Sequence, residues 1–351
     1  MLTYWLMFLI PAWASVSAPG KPRPSGKNLE LSWLAVGLVL TLLIGLRHQV
    51  GGDWATYEGH YQYMLGTSLS EVWLMGDPGY YLVNWLSTQV DGGVYLVNTV
   101  VGTLFSLGLV AFCRRQPRPW LALAVAVPYM VTVVAMGYSR QGVALGLALL
   151  GIVGLSKGSN LRFVICVALA ATFHKSAVLL IPLAVLATPR GRLWTAIWVG
   201  ITGAILYSVL LAESVDNLVT NYIDAGYQSE GAAVRIAMNA LPAVLLLWLR
   251  KRFVWPPAER NLWTFMAFLA IACVGWLLVS SSSTAVDRLA LYLIPLQLYV
   301  FARLPDLLGR NASRRNLVWA VVGYYTVVMF VWLNFASHAG YWLPYRSWLL
   351  E

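Results

Sequence analysis

Charge is what this sequence has least of. Asp, Glu, Lys and Arg make up 11% of its 351 residues, against a hydrophobic share of 59%. A soluble domain carries roughly 25% charged and roughly 45–50% apolar residues, so this chain lacks the polar surface to coat one. Its apolar content equally excludes disorder. Cysteine is limited to Cys113, Cys166 and Cys273, in or at the ends of apolar runs and without pairing or ligand spacing, which excludes a disulfide scaffold and reads as packing. The four histidines show no metal-ligand spacing, and no P-loop or dinucleotide-binding glycine pattern follows a strand. Neither a metal nor another cofactor is required. The net charge of +10 could suggest a nucleic-acid binder, but no basic patch sits on a soluble element. Internal repeats and low-complexity linkers are missing as well, so residues 1–351 read as one domain embedded in a lipid bilayer.

What the chain does have is apolar runs, at 2–17, 31–46, 94–112, 120–136, 142–155, 161–188, 193–212, 234–249, 262–281, 286–302 and 317–335. A helix crossing the hydrocarbon core needs about 20 such residues. The fold class is therefore all-α and polytopic, with about ten full transmembrane helices. The first run ends in residues small enough for signal cleavage. No Lys or Arg precedes it, however, while Lys21, Arg23 and Lys27 follow it. That polarity describes an uncleaved span with its N-terminus outside.

Basic residues concentrate in cytoplasmic loops, and this tests the run at 161–188, which carries His174 and Lys175 at its middle. As a single crossing, a long tilted helix, it would place the acidic segment 213–232 inside and the basic loop 250–261 outside. As two half-helices that dip in and return, it removes both conflicts. Eighteen of the 24 bases then lie inside with only Glu30, Glu259 and Asp306, a net +15, and the other side carries −5. The hairpin reading is the one adopted. It leaves 47–93 and 213–232 as outer segments and puts both termini outside. A half-helix of 13 residues rises about 20 Å, so the His174–Lys175 tip stops within the membrane, where turning backbone is tolerated only beside protein or a cavity. Within 47–93, Asp77-Pro78-Gly79 opens a short apolar helix at the outer interface, with proline in its first turn.

Of the six cations left on the other side, four sit at or just under the outer face, which should be poor in them: Arg47, Arg140, Lys175 and Arg288. Each alone would read as an internal ion pair or a snorkelling side chain. Four together are better explained by an anionic ligand such as phosphate, to which Arg offers a bidentate fork and Lys a point charge. Asp53 follows Arg47 through the tight turn Val50-Gly51-Gly52, and Asp287 directly precedes Arg288, so those two side chains point different ways. His174 beside Lys175 is either a general base or a hydrogen-bonded packing residue.

In their order these motifs resemble a known family. Arg47-His48-Gln49-Val50-Gly51-Gly52-Asp53 with Tyr57 is similar to the N-terminal signature of the EpsG/Wzy-type polysaccharide polymerases, with Gly52 where that family often has Thr. Asp77-Pro78-Gly79-Tyr80, Ser139-Arg140-Gln141, Phe173-His174-Lys175-Ser176-Ala177 and Asp287-Arg288 with Tyr292 complete the series. The resemblance covers roughly 47–292, and the Trp-rich tail after 317 adds no motif to it. It implies a GT-C-like membrane glycosyltransferase of the bacterial inner membrane. Such an enzyme joins oligosaccharide repeat units carried on undecaprenyl diphosphate into an exopolysaccharide or O-antigen, with a chain-length regulator as a possible partner. In that frame Arg47, Arg140, Lys175 and Arg288 bind the diphosphate. Asp53 and His174, with Asp77 behind them, are the candidate catalytic bases, and Trp54, Tyr57 and Tyr80 stack on sugar rings.

Three other readings compete. A polysaccharide ligase shares the chemistry and differs in its acceptor. A flippase should show two pseudo-repeated halves and a cationic cavity reachable from both faces, whereas here there are no halves and the unusual cations lie on one side. A membrane acyltransferase would need a His–acid pair, and His174 has no adjacent carboxylate.

Overall fold

The computed structural model describes residues 1–17, 27–188, 191–208, 228–280, 282–309 and 312–350. Most of the outer segment expected at 213–232 lies outside these residues, as do Lys21, Arg23, Arg190 and Arg310. The described chain is helical throughout, with one isolated bridge, Arg47 to Ser347. Two helices, α1 (Leu2–Ser17) and α2 (Lys27–Gly45), lead into three short ones at the bundle end formed by residues 47–93: α3 (Trp54–Tyr63), α4 (Leu69–Val72) and α5 (Pro78–Thr88). That end is termed outer on the charge argument above. Pro78 occupies the first turn of α5, where its missing N–H costs no hydrogen bond.

The centre is built from α6 (Gly93–Cys113), α7 (Pro119–Ala126, continued as a π-helix over Val127–Ala135) and α8 (Ser139–Ser156). Next come α9 (Asn160–Phe173), a 3₁₀ turn over Lys175–Leu180, α10 (Pro182–Ala187) and α11 (Arg192–Leu206). The chain finishes with α12 (Ala232–Leu249), α13 (Pro257–Val279), α14 (Ser283–Ala290), α15 (Ile294–Phe301), α16 (Leu304–Leu308) and α17 (Ala312–Phe335). By length and composition, six stretches among the described residues suffice to cross a membrane: Gly93–Cys113, Ser139–Ser156, Ala232–Leu249, Pro257–Val279, Ser283–Phe301 and Ser313–Phe335. About ten full spans were expected, and these six reach that length among the described residues. Leu2–Ser17, Glu30–Gly45, Pro119–Ala135 and Leu193–Leu206 are apolar but shorter.

The hairpin is present. The chain leaves α9 at His174 in an extended conformation (φ −154°, ψ 111°), turns through the 3₁₀ segment and comes back as α10. At its base Asn160 Nδ2 donates to Thr188 Oγ1 at 2.7 Å across 28 residues. A single crossing helix would hold those residues at opposite ends.

Small residues let the central helices approach closely, the usual device where lipid removes the hydrophobic drive for helix association. A Cβ on Gly108 of α6 would stand 1.9 Å from the Gly146 carbonyl oxygen of α8, and one on Gly146 would stand 2.5 Å from the Phe105 Cα. Backbone cannot give way as a flexible side chain can, and overpacking of this kind costs about 1–3 kcal/mol or more. Gly108→Val should therefore lower the thermal transition of the purified protein sharply, with aggregation on extraction. A variant as stable and monodisperse as wild type would show that α6 and α8 do not meet in this way.

The tail folds back over the outer end. Trp342 is buried and its Nε1 donates to the Thr132 carbonyl in the π-helix at 2.7 Å, while Tyr4 Oη of α1 donates to the Trp342 carbonyl at 2.8 Å. His48 N donates to Arg346 O at 3.1 Å and Trp348 N to Leu46 O at 2.8 Å. The beginning of α1, the Arg47 turn and the tail thus share one end of the bundle.

Candidate functional site

Three elements converge at the outer end: the start of α8, the hairpin tip, and α14. Arg140 lies in the first turn of α8, and its Nη1 donates to Asp77 Oδ2 at 2.7 Å. The Asp77 side chain is 8% exposed and that of Arg140 34% exposed, so the carboxylate fixes the guanidinium while leaving part of it open. The guanidinium carbon also stands 5.9 Å from the Tyr80 ring centre, within cation–π range. From the hairpin, the Lys175 backbone N–H donates to the Asp77 carboxylate. The Lys175 ammonium lies beside Gly76, where a Cβ would be only 3.2 Å from Nζ. His174 lies in the combined field of Arg140 and Arg288. Ser176 and Tyr292 hydroxyls meet at 3.1 Å and tie the tip to the helix carrying Arg288.

Arg288 is oriented from both sides. Its Nη1 donates to Gln141 Oε1 at 3.3 Å, Gln141 Nε2 donates to the Arg288 carbonyl at 2.8 Å, and the guanidinium sits 4.3 Å over the Tyr138 ring. Among the described residues no carboxylate is within ion-pair distance of it. Asp287 faces away, as its adjacency requires, and receives a two-pronged contact from Arg235 of α12: Nε to Oδ1 at 2.8 Å and Nη2 to Oδ2 at 2.8 Å. The Ser229 hydroxyl adds a third donor at 3.0 Å. Arg235 thereby sets the rotation of α14 that aims Arg288 at the site. Sequence offers no signal for this pairing, because 52 residues separate the partners.

Asp53 stands at the N-terminal end of α3 without capping it through its side chain. It feels Arg288 and Arg140 and is hydrogen-bonded by Tyr57, yet burial pushes its carboxyl above the ordinary range. Of the acids in the motifs, Asp77 and Asp287 are committed to arginines, and Asp53 has no ion-pair partner among the described residues. The preceding turn is rigid. Gly51 has φ +105°, and a Cβ there would be 2.5 Å from the Met136 carbonyl oxygen, so both conformation and space demand glycine.

Several of the expected site residues are more enclosed than a ligand contact suggests. Arg47 does not join the cluster. It is 1% exposed, and its guanidinium donates to Val50 O at 3.2 Å, Asn98 Oδ1 at 3.3 Å, Ser139 Oγ at 2.7 Å and the Ile44 carbonyl. With its donors so occupied it ties α2, α6 and the start of α8 together and offers no face to a ligand. Each acceptor stranded by Arg47→Ala costs about 1–3 kcal/mol, so that variant should lose folded protein and thermal stability. An inactive Arg47→Ala as stable as wild type would return Arg47 to the ligand. The Asp77 carboxylate is paired with Arg140. Trp54, Tyr57 and Tyr80 are buried, at 8%, 3% and 0% exposure, so they cannot stack on a sugar as the site stands. They form the wall behind it, with Tyr57 and Tyr80 ring centres 5.8 Å apart. Within residues 47–93 the exposed aromatic rings are Tyr63 and Trp73, and Tyr63 borders a cleft of about 330 Å³ with Thr67, Glu71, Leu74 and Met75.

Sequence reasoning also passed over His60. It lies on α3 against Tyr80 and Tyr81, its Nδ1 is 3.2 Å from Tyr81 Oη, and its Nε2 is buried with no partner among the described residues. Burial and Arg140 lower its pKa, which keeps the ring neutral. Its place seven residues beyond Asp53 in the same helical stretch was a usable signal. Among the described residues no group of three or more His, Cys, Asp or Glu side chains is arranged to hold a metal ion.

The site thus pairs two held but partly open arginines with an ammonium and one uncommitted carboxylate, at the end of an all-helical membrane bundle. No curated protein and no solved structure matches the chain. The model of the EpsG family matches it over residues 30–347. That span takes in every motif from Arg47 to Tyr292 and runs beyond them through the tail, whose buried Trp342 packs behind the site. With nine-tenths of its length inside that match, the chain belongs to the EpsG family.

Proposed function

We propose that the protein is a polysaccharide polymerase that joins undecaprenyl-diphosphate-linked oligosaccharide units at the outer face of the bacterial inner membrane. Family membership supports a polymerase of the glycosyltransferase kind. The observation that supports the finer reading is the gathering of Arg140, Arg288 and Lys175 at the bundle end formed by residues 47–93, beside Asp53. A lipid-linked diphosphate demands that layout, with a tail in the bilayer, two phosphates at the interface and sugars in water.

In the proposed reaction a hydroxyl of the incoming unit attacks C1 of the reducing-end sugar of the growing chain. The new C–O bond forms as the bond from C1 to the diphosphate oxygen breaks, with inversion at that carbon and no metal. Undecaprenyl diphosphate leaves with the electron pair, and the hydroxyl proton passes to Asp53. Diphosphate is already a good leaving group, so catalysis is mainly positioning and charge stabilisation. Arg140, Arg288 and Lys175 hold the departing negative charge. Asp77 and Arg235 position the two arginines, and His174 at the tip orients the acceptor. Tyr63 and Trp73 offer open rings for the sugars.

Purified protein in liposomes with lipid-linked repeat units is expected to yield a ladder of longer lipid-linked products. Unchanged units carried across the bilayer would make it a flippase, and transfer of whole chains to another acceptor a ligase. Either outcome overturns the reading.

A further inference from the structure

We propose that the inner end of the bundle carries a site for an anionic glycerophospholipid, in a groove between α10 and α13. The groove encloses about 610 Å³. Its floor is apolar, with Val185 on α10 facing Phe265 and Phe268 on α13, and its inner mouth is formed by Arg250, Arg260 and Trp255. Arg260, Thr264 and Phe268 recur every four residues, so one stripe of α13 carries a cation at the membrane boundary and an aromatic ring about 12 Å deeper. A phospholipid has the same order, with phosphate at the interface and acyl chains below it.

Three arginines at this end have acidic partners. Arg118 pairs with Asp306 at 2.8 Å, Arg314 reaches the same carboxylate at 4.0 Å, and Arg114 reaches Glu30 at 3.9 Å. Arg250 and Arg260 are exposed, and among the described residues neither has a carboxylate within ion-pair distance. The nearby acid Glu259 is turned away and accepts from Tyr299 Oη at 3.2 Å. The groove therefore presents two uncompensated positive charges and no lining acid. It favours a net-negative headgroup over a zwitterionic one, as basic pockets on the cytoplasmic side of membrane bundles do. Aromatic Trp255 at the mouth suits the headgroup level. A soluble anion would gain nothing from the phenylalanine floor, and a protein helix would leave the arginines unpaired unless it brought acids of its own. The occupant touches α10, the returning arm of the hairpin that carries His174 and Lys175, so this lipid braces that arm from the opposite leaflet.

The test is native mass spectrometry of the full chain, released from equal mixtures of phosphatidylglycerol and phosphatidylethanolamine with matched acyl chains. Phosphatidylglycerol is expected to be retained in excess by roughly fivefold or more, on a gain near that factor for each cation. The double variant Arg250→Gln/Arg260→Gln should bring the two lipids to parity. Equal retention by the wild type, or an undiminished preference in the variant, overturns the proposal. A second measurement guards against a variant that fails to fold. Phosphatidylglycerol with a photoreactive acyl chain should label wild-type residues 261–268, and labelling confined to other helices also overturns it.

Discussion

Arg140→Ala is expected to abolish long-chain product, lowering the polymerisation rate by about 10²–10³-fold, the usual loss when one preorganised charge-stabilising donor is removed. Arg140 is the best-held cation of the site, fixed to Asp77 at 2.7 Å with a third of its side chain still open. A guanidinium in that state needs little reorganisation as charge builds on the leaving diphosphate. Arg140→Lys keeps the charge and loses the fork, so it should recover only part of the rate. Asp77→Asn, which loosens the arginine without removing it, should lose less than Arg140→Ala and respond to Arg140→Lys non-additively. The measurement is product length and rate in liposomes, with the protein's insertion checked in parallel. Single lipid-linked units should accumulate. Wild-type chain lengths in both Arg140→Ala and Arg288→Ala would sink the diphosphate assignment.

Asp53→Asn should reduce the rate by about 10²–10⁴-fold, the range for loss of a positioned general base. The pH profile distinguishes this from damage to the fold. A base acts in its deprotonated form, and burial raises the Asp53 pKa against the opposing pull of Arg288 and Arg140. Wild-type activity should therefore fall as the medium is acidified through a value above the ordinary Asp pKa of about 3.9, and should be restored on returning to neutral pH. In Asp53→Asn that acid limb should vanish while a low, flat rate remains. An acid limb that survives in Asp53→Asn and disappears in His174→Gln would transfer the base to the hairpin tip. Arg140 cannot supply the limb, since a guanidinium stays protonated throughout this range.

Much of the molecule was readable before any coordinate was known. Helical membrane architecture follows from apolar runs, because lipid admits backbone only when its polar groups are satisfied within a segment or by covering protein. The hairpin followed from loop charges alone, and the Asn160–Thr188 bond closes it at the base. The length of each helix did not follow. Runs such as Pro119–Ala135 are apolar enough but short, since a helix walled by other helices need not match the bilayer by itself. Arg140, Lys175 and Arg288 were found by the oddity of a cation on the acidic side. That same oddity misplaced Arg47, whose charge is absorbed by carbonyls and side chains from residues as distant as Ser139. The tail gave no motif at all. Its role rests on single contacts such as Trp342 to Thr132, 210 residues apart.

Composition and the order of charges along the chain determined the fold class and pointed to the hairpin, an expected orientation and the short list of cations, since each depends on the cost of placing a residue in lipid and not on its neighbours. Tertiary structure decided how those side chains are held. Burial and hydrogen bonding enclose Arg47, Asp77, Asp287 and the three expected sugar-stacking aromatics, and packing brings Arg140, Arg288, Lys175 and Asp53 to one end of the bundle. Those assignments depend on pairings between residues tens to hundreds of positions apart, and such pairings come into being only when the helices pack.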